Sequence, residues 1–193
     1  MKTDRQLGQS IVSGFLAGIG AWIAGYVVMY LAIASEVRES PLHQMIEFLQ
    51  GEPATYETVG WVFYNAHFVP TIFRNVPLAG TRTVTYIGDG NEFSPLLYLI
   101  PIVALVATGI VIAWYHQAES PTDGAVAGLS VAPAYFLLSV IGVFVFTVTV
   151  GEAQGSPELL PAIALAGVAY PIVLGATGGA IGGYLRARDS EIG

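Results

Sequence analysis

The chain has 193 residues, of which 54% are hydrophobic and only 11% are charged, and its mean hydropathy is +0.64. This composition is typical of membrane proteins, since about a quarter of the residues of soluble domains are charged. Fourteen acidic residues against seven basic ones give a net charge of −7, so no basic surface is available to neutralise the phosphates of a nucleic acid. The absence of cysteine excludes disulfides, thiolate catalysis and zinc–thiolate sites.

Residues 10–34 form an apolar run without a charged residue, which predicts a first membrane-spanning helix. Signal peptides have a shorter apolar core of about 7 to 15 residues, so we expect this run to be retained as an uncleaved span. Small residues recur along it at a spacing of four, and Gly14, Gly18 and Gly25 belong to these ladders. Such ladders let the backbone of a neighbouring helix approach closely.

Residues 35–93 form a long polar interval that is predicted to be an extracellular cap between the first and second spans. Ser40 and Pro41 provide a helix N-cap followed by proline at the first helical position. Apolar residues then fall on one helical face, with polar residues between them. We therefore expect a short amphipathic helix, ending at Gly51, that lies on the membrane surface or against the bundle. Its predicted apolar face is Leu42, Met45, Ile46 and Leu49, and its predicted outward face is His43, Gln44, Glu47 and Gln50.

The second half of the cap is strongly aromatic over residues 58–73 but is interrupted by polar residues and a proline. Sixteen residues are few for a membrane crossing, and polar side chains near the middle are costly there. An interfacial or re-entrant element is favoured, and a fifth span is the alternative. Residues 81–87 alternate as a strand does and precede the turn pair Asp89–Gly90, which predicts a small β element. The candidate contact residues of the cap are Trp61, Tyr64, Asn65, His67 and Phe68.

Three further apolar runs predict spans at about residues 95–115, 125–150 and 159–185. The last run carries Gly175, Gly179 and Gly183 at a spacing of four, on one helical face. The predicted fold class is therefore an all-α membrane protein, a four-helix transmembrane bundle that forms a single membrane domain over residues 1–193. Similar openings at residues 93 and 155, FSPLLYLIPIVAL and GSPELLPAIAL, raise the alternative that the chain is a repeat of two helical hairpins.

Basic residues near the chain ends predict the orientation. Lys2, Arg5, Arg186 and Arg188 flank the outer spans, whereas the two short links between spans contain no lysine or arginine. Cytoplasmic segments next to spans carry an excess of lysine and arginine. We therefore expect a multi-pass protein of the cell membrane with both termini in the cytoplasm.

The pattern of ionisable residues favours a structural role. No charged residue or histidine lies in the middle of a predicted span, and proton relays and ion pathways normally need such residues. No nucleophile elbow, phosphate loop or metal-ligand spacing occurs, so we expect no catalytic residue, cofactor or metal. The leading hypothesis is a structural or accessory subunit that contacts lipid and a second copy or another membrane protein. The alternative is a small transporter or channel between two hairpins, with backbone carbonyls freed by Pro101, Pro133 and Pro171.

One resemblance accompanies this interpretation. The lysine-poor, acidic balance, the four spans and the aromatic segment GWVFYNAHFVP at residues 60–70 resemble the small multi-pass membrane proteins of halophilic archaea that carry no assigned function. The resemblance implies a membrane location and a high-salt environment, in which carboxylates are well screened. It implies no catalytic or binding residue.

Overall fold

The computed structural model describes residues 4–77, 80–88 and 93–192, with side chains described for 11–77, 80–88 and 93–189. Most of the chain is helical, and four short strands complete it. The helices are α1 (Asp4–Glu39), α2 (Pro41–Gln50), α3 (Thr55–Asn65), α4 (Leu99–Tyr115, after a 3-10 turn at Pro95–Tyr98), α5 (Pro121–Leu129), α6 (Ala132–Val145), α7 (Leu159–Pro161, followed by a π-helix at Ala162–Ala169) and α8 (Tyr170–Ile192). The strands are β1 (Thr71–Val76), β2 (Gly80–Val84), β3 (Val148–Val150) and β4 (Ala153–Pro157).

Four helical segments are long and apolar enough to cross a membrane, as predicted. They are Ile11–Glu39, Pro95–Tyr115, Pro121–Val145 and Leu159–Asp189. The first segment extends five residues beyond the predicted limit at residue 34, and the third begins and ends about four to five residues earlier than predicted. Residues 58–73 do not form a fifth membrane-length helix, because α3 ends at Asn65 and β1 begins at Thr71.

Prolines explain the irregular turns inside the last two membrane-length segments. Pro133 cannot donate to the carbonyl four residues earlier, and the chain interrupts its helix at residues 130–131, where Ser130 Oγ donates to the Ala127 carbonyl at 2.5 Å. Pro171 follows the wider turns of the π-helix. A proline ring clashes with the preceding turn of a regular α-helix, so a break or a wider turn accommodates it.

The four strands form an antiparallel sheet in the order β2-β1-β4-β3, so the mostly helical fold carries a larger sheet than the small β element that the sequence predicts. The predicted β element is present as β2, slightly earlier in the chain than expected, whereas the Asp89–Gly90 turn lies outside the described residues. Strands β1, β3 and β4 were not predicted, because residues 71–73 were placed in the interfacial element and residues 148–150 in the third span. The pairing of Thr71 with Pro157 and of Arg74 with Gln154 joins segments about 80 residues apart, which no local pattern reveals.

The chain forms two compact units. Unit 1 comprises Met1–Ala24, Pro101–Leu138 and Gly167–Gly193, and unit 2 comprises Gly25–Ile100 and Ser139–Ala166. Unit 1 is purely helical in its described part. Unit 2 holds the sheet together with α2 and α3, and its core centres on α3, where Trp61, Val62, Phe63 and Tyr64 are fully buried.

Candidate functional site

The predicted packing glycines of α8 contact α5 within unit 1. A Cβ atom at Gly179 would overlap the carbonyl oxygen of Gly124, and one at Gly183 would overlap that of Ser120. A Cβ atom at Gly128 of α5 would overlap the carbonyl oxygen of Gly175 of α8. Backbone therefore lies directly on backbone along this pair of helices, and side chains larger than hydrogen do not fit between them.

Two of the remaining candidate packing glycines show the same kind of contact. A Cβ atom at Gly14 would overlap Ser130, and one at Gly18 would overlap the Val131 carbonyl oxygen, while Gly25 is buried in unit 2. Gly178, beside the predicted ladder of α8, lies against a different helix, since a Cβ atom there would overlap the Val106 carbonyl of α4. These contacts lie inside the molecule.

The aromatic segment of the cap forms the core of unit 2. Trp61, Tyr64, Asn65 and His67 are at most 2% exposed, whereas Phe68 is 60% exposed. The Trp61 indole donates to the Phe146 carbonyl at 2.6 Å, and burial raises the pKa of Tyr64. Four of the five candidate contact residues are thus enclosed, and only Phe68 presents its side chain at the surface.

Two polar side chains of this segment are satisfied inside the core. Asn65 Nδ2 donates to the Val69 carbonyl at 2.8 Å, and its Oδ1 accepts from the Tyr86 backbone N–H at 2.6 Å. His67 Nδ1 donates to the Phe63 carbonyl at 2.8 Å, and burial lowers the pKa of His67 to about 4. His67 is therefore a neutral structural group at neutral pH.

The three candidate pathway prolines all belong to unit 1. Pro101 and Pro171 are buried, whereas Pro133 is exposed. Thr108, on the same helix as Pro101, donates its hydroxyl to the Ala104 carbonyl at 2.7 Å.

The two edges of the sheet differ. At one edge the Gln50 amide of α2 donates to the Thr149 carbonyl of β3 at 2.9 Å, which covers that strand. At the other edge β2 pairs only with β1 in the described ranges, and Gly80, Thr81, Arg82 and Thr83 are all exposed. We call β2 the open sheet edge.

A polar cavity of about 480 Å³ in unit 2 was not predicted. We call it the α2 cavity, and it is lined by Tyr30, Arg38, His43, Glu47, Pro53, Thr55 and Tyr56. His43 is 1% exposed, so its predicted outward position is wrong. The Ser40 hydroxyl accepts from the His43 backbone N–H at 3.2 Å, and the His43 ring lies 3.3 Å from Thr55 Oγ1, so these contacts turn the ring inward.

The charges around the α2 cavity leave one cation available. Arg38 Nη2 donates to the Tyr30 hydroxyl at 3.3 Å, and within the described part of the chain its guanidinium forms no ion pair. Glu47 instead lies 3.8 Å from His43 Nε2, and a hydrogen bond to Glu57 raises the pKa of Tyr56. Arg38, in the last turn of a membrane-length helix just before a Ser-Pro cap, belongs to only one wall of this cavity, and the other lining residues come from separate segments.

The described residues contain no cluster of three or more histidine and carboxylate groups that could hold a metal ion. No curated protein and no solved structure matches the chain at a significant level. A family model does match, over residues 1–186. The chain therefore belongs to the family of unknown function DUF7978.

Proposed function

We propose that this protein is a structural or accessory subunit of a membrane assembly, without catalytic activity of its own. Its apolar helices form the membrane scaffold, and the sheet-bearing part of unit 2 binds a partner polypeptide outside the bilayer. The lysine-poor, acidic composition supports the further expectation of a halophilic archaeal membrane.

The open sheet edge is the observation that carries this proposal. An edge strand presents unpaired N–H and C=O groups, and an extended segment of a partner adds to it as a further strand. The neighbouring side chains leave the edge accessible, since the Arg82 guanidinium lies 5.8 Å from the centre of the Phe73 ring on the adjacent strand. The opposite edge is covered by Gln50, so β2 is the edge to which a strand can add.

The glycine contacts support a scaffold role. Because Gly124, Gly175, Gly179 and Gly183 contact one another's backbones within unit 1, they stabilise the protein itself. A second subunit would then bind through surfaces other than these glycines, which again favours unit 2 as the contact region.

Photo-crosslinking tests the proposal. A photoreactive residue placed at Thr83 in native membranes should give one discrete polypeptide adduct, whereas the same residue at the exposed Val27 of α1 should give lipid adducts. The absence of a polypeptide adduct at position 83, or equal polypeptide adducts at both positions, would contradict the proposal.

Two proline variants sharpen the test. Successive N–H groups of an edge strand point alternately inward and outward, so only one of Thr81→Pro and Arg82→Pro removes a group that faces the partner. The variant that keeps the thermal stability should lose crosslinking about fivefold, because one backbone hydrogen bond contributes about 1 kcal/mol. Unchanged crosslinking in that variant would exclude strand addition.

A further inference from the structure

The position of α2 along the chain fixes it near the membrane boundary. The charge-free apolar run of α1, residues 10–34, has 25 residues and at about 1.5 Å per residue spans roughly 37 Å, which is enough to cross a hydrocarbon core of about 30 Å. Glu36, Arg38 and Glu39 follow this run in the same helix, and charged side chains are costly inside the hydrocarbon, so the end of α1 lies at the headgroups. Only Ser40 separates α1 from α2, so α2 begins at headgroup depth.

Helix α2 exposes an apolar face. His43 and Ile46 face the interior of unit 2, whereas Met45, Phe48 and Leu49 are 57%, 85% and 56% exposed. The three exposed residues follow the i, i+3, i+4 spacing of a single helical stripe. Nothing in the described part of the chain covers them.

Lipid is the occupant that fits this face. Exposed apolar side chains continue from α1, where Leu31 is 79% exposed and Val27 and Val28 are about half exposed, and these residues lie within the membrane-length segment. Glu47 is the one acidic residue of α2, so little charge opposes burial among acyl chains. A helix of this kind lies in the plane of the interface with its apolar side in the hydrocarbon.

The α2 cavity lies between the end of α1 and α2, at the same depth. Its available cation is Arg38, whose planar guanidinium recognises phosphate oxygens through paired hydrogen bonds. The Glu47 carboxylate lines the same cavity and repels a second negative charge. A phosphodiester, with a single negative charge, therefore fits better than a doubly charged phosphate.

We propose that α2 is an interfacial anchor whose residues Met45, Phe48 and Leu49 lie among acyl chains, and that Arg38 binds the phosphodiester of a lipid headgroup in the α2 cavity. The helix and the cavity act as one lipid site, with the chains under α2 and the headgroup above it.

Spin labelling tests the anchor. The chain has no cysteine, so Phe48→Cys and the control Glu52→Cys each give one labelling site in the full protein in phospholipid nanodiscs. Label at position 48 should be accessible to oxygen and protected from a water-soluble nickel complex, and label at position 52, an exposed acidic position beyond the end of α2, should show the reverse. Equal nickel accessibility at both positions would show that water contacts this face and would overturn the proposal. Protection of position 48 from both reagents would also overturn it and would indicate a protein partner on this face.

Retained lipid tests the cavity. Arg38→Gln should lower the phospholipid that remains bound after detergent purification about tenfold, which corresponds to about 1.4 kcal/mol of binding free energy lost with the charge-assisted pair. Arg82→Gln, which removes the same charge elsewhere in unit 2, should retain the lipid. Equal loss in both variants, or displacement of the lipid by added inorganic phosphate, would overturn the headgroup assignment and, in the second case, indicate a site for free phosphate.

Discussion

Asn65 links two loop segments of unit 2, one before β1 at Val69 and one after β2 at Tyr86. Its amide donates to Val69 and accepts from the backbone of Tyr86, so a single side chain replaces hydrogen bonds that the sheet does not supply. Asn65 is 2% exposed, and water cannot take over these bonds. A buried polar residue in this position therefore specifies the path of the chain.

Replacing Asn65 should destabilise unit 2 strongly. In Asn65→Ala the Tyr86 N–H and the Val69 carbonyl lose their partner in the core, which should lower the free energy of unfolding by about 3 kcal/mol. Denaturant unfolding in detergent measures the change. Gln44→Ala, at an exposed position, serves as control and should stay within about 0.5 kcal/mol of the parent protein. Similar unfolding curves for the two variants would contradict the structural role of Asn65.

His67 should make the stability of unit 2 dependent on pH. Burial lowers its pKa from 6.5 to about 4, so the unfolded chain binds more protons than the folded one between these values. Stability is then complete above pH 6.5 and is lost as the pH falls toward 4, by about 2 kcal/mol between pH 7 and pH 5.

Thermal unfolding of the parent protein and of His67→Gln across this range tests the effect. The variant should unfold at a lower temperature at pH 7, because its packing is disturbed, but its stability should vary less with pH. A pH profile as steep as that of the parent protein would assign the dependence to other groups.

At the scale of elements, local signals predicted the membrane-length helices and missed three of the four strands. The predicted Ser-Pro cap is present at Ser40, where the hydroxyl accepts a backbone N–H of the first turn, and Ser120 caps α5 in the same way. Strand β4 pairs with β1, which lies far away in the chain, and β3 pairs with β4. Three β-branched residues at the end of an apolar run do not differ, in sequence alone, from the end of a span.

Some candidate residues follow from a local pattern in the sequence, and others do not. A four-residue glycine ladder predicts a helical face that a neighbouring helix approaches, because such a ladder has one main structural use. Aromatic residues at 61–68 are equally suited to a surface or a core, and burial in the structure decided between them. The α2 cavity needs residues from α1, α2 and α3 together, so no single segment indicated it.

The contact between α5 and α8 leads to a matched pair of glycine variants. Gly179→Ala places a methyl group against the Gly124 carbonyl, and the overlap is relieved only if the backbones of the two helices move apart. In contrast, nothing lies within 4 Å of a Cβ atom at Gly20. We expect Gly179→Ala to cost about 1 to 3 kcal/mol. Gly20→Ala should be neutral or stabilising by about 0.5 kcal/mol, since alanine favours a helix.

Thermal unfolding in detergent distinguishes these outcomes. The midpoint should fall for Gly179→Ala and should stay or rise for Gly20→Ala. Equal midpoints would show that α5 and α8 can separate without loss of stability, and the scaffold role of the glycines would then be wrong.

At the scale of the whole molecule, the two units group the chain as the predicted threading does. Unit 1 contains both terminal segments and the link at residues 116–120, and unit 2 contains residues 40–94 and the link at 151–158. Four crossings by the membrane-length helices would return the chain to the side where it began, as the predicted threading requires. Arg186 and Arg188 near the end of α8 favour the cytoplasm for that side.

Cysteine labelling tests this threading without background, because the natural chain has no cysteine. Glu119→Cys and Glu52→Cys both replace exposed acidic residues, one in the short link of unit 1 and one in the cap of unit 2. A maleimide that does not cross membranes should label position 52 in intact cells and position 119 only after the cells are permeabilised. Labelling of both positions in intact cells would place both segments outside and would contradict the single crossing proposed between them. The reverse pattern would place position 119 outside and position 52 inside. Either result would also remove the basis for a partner that binds the open sheet edge from outside the cell.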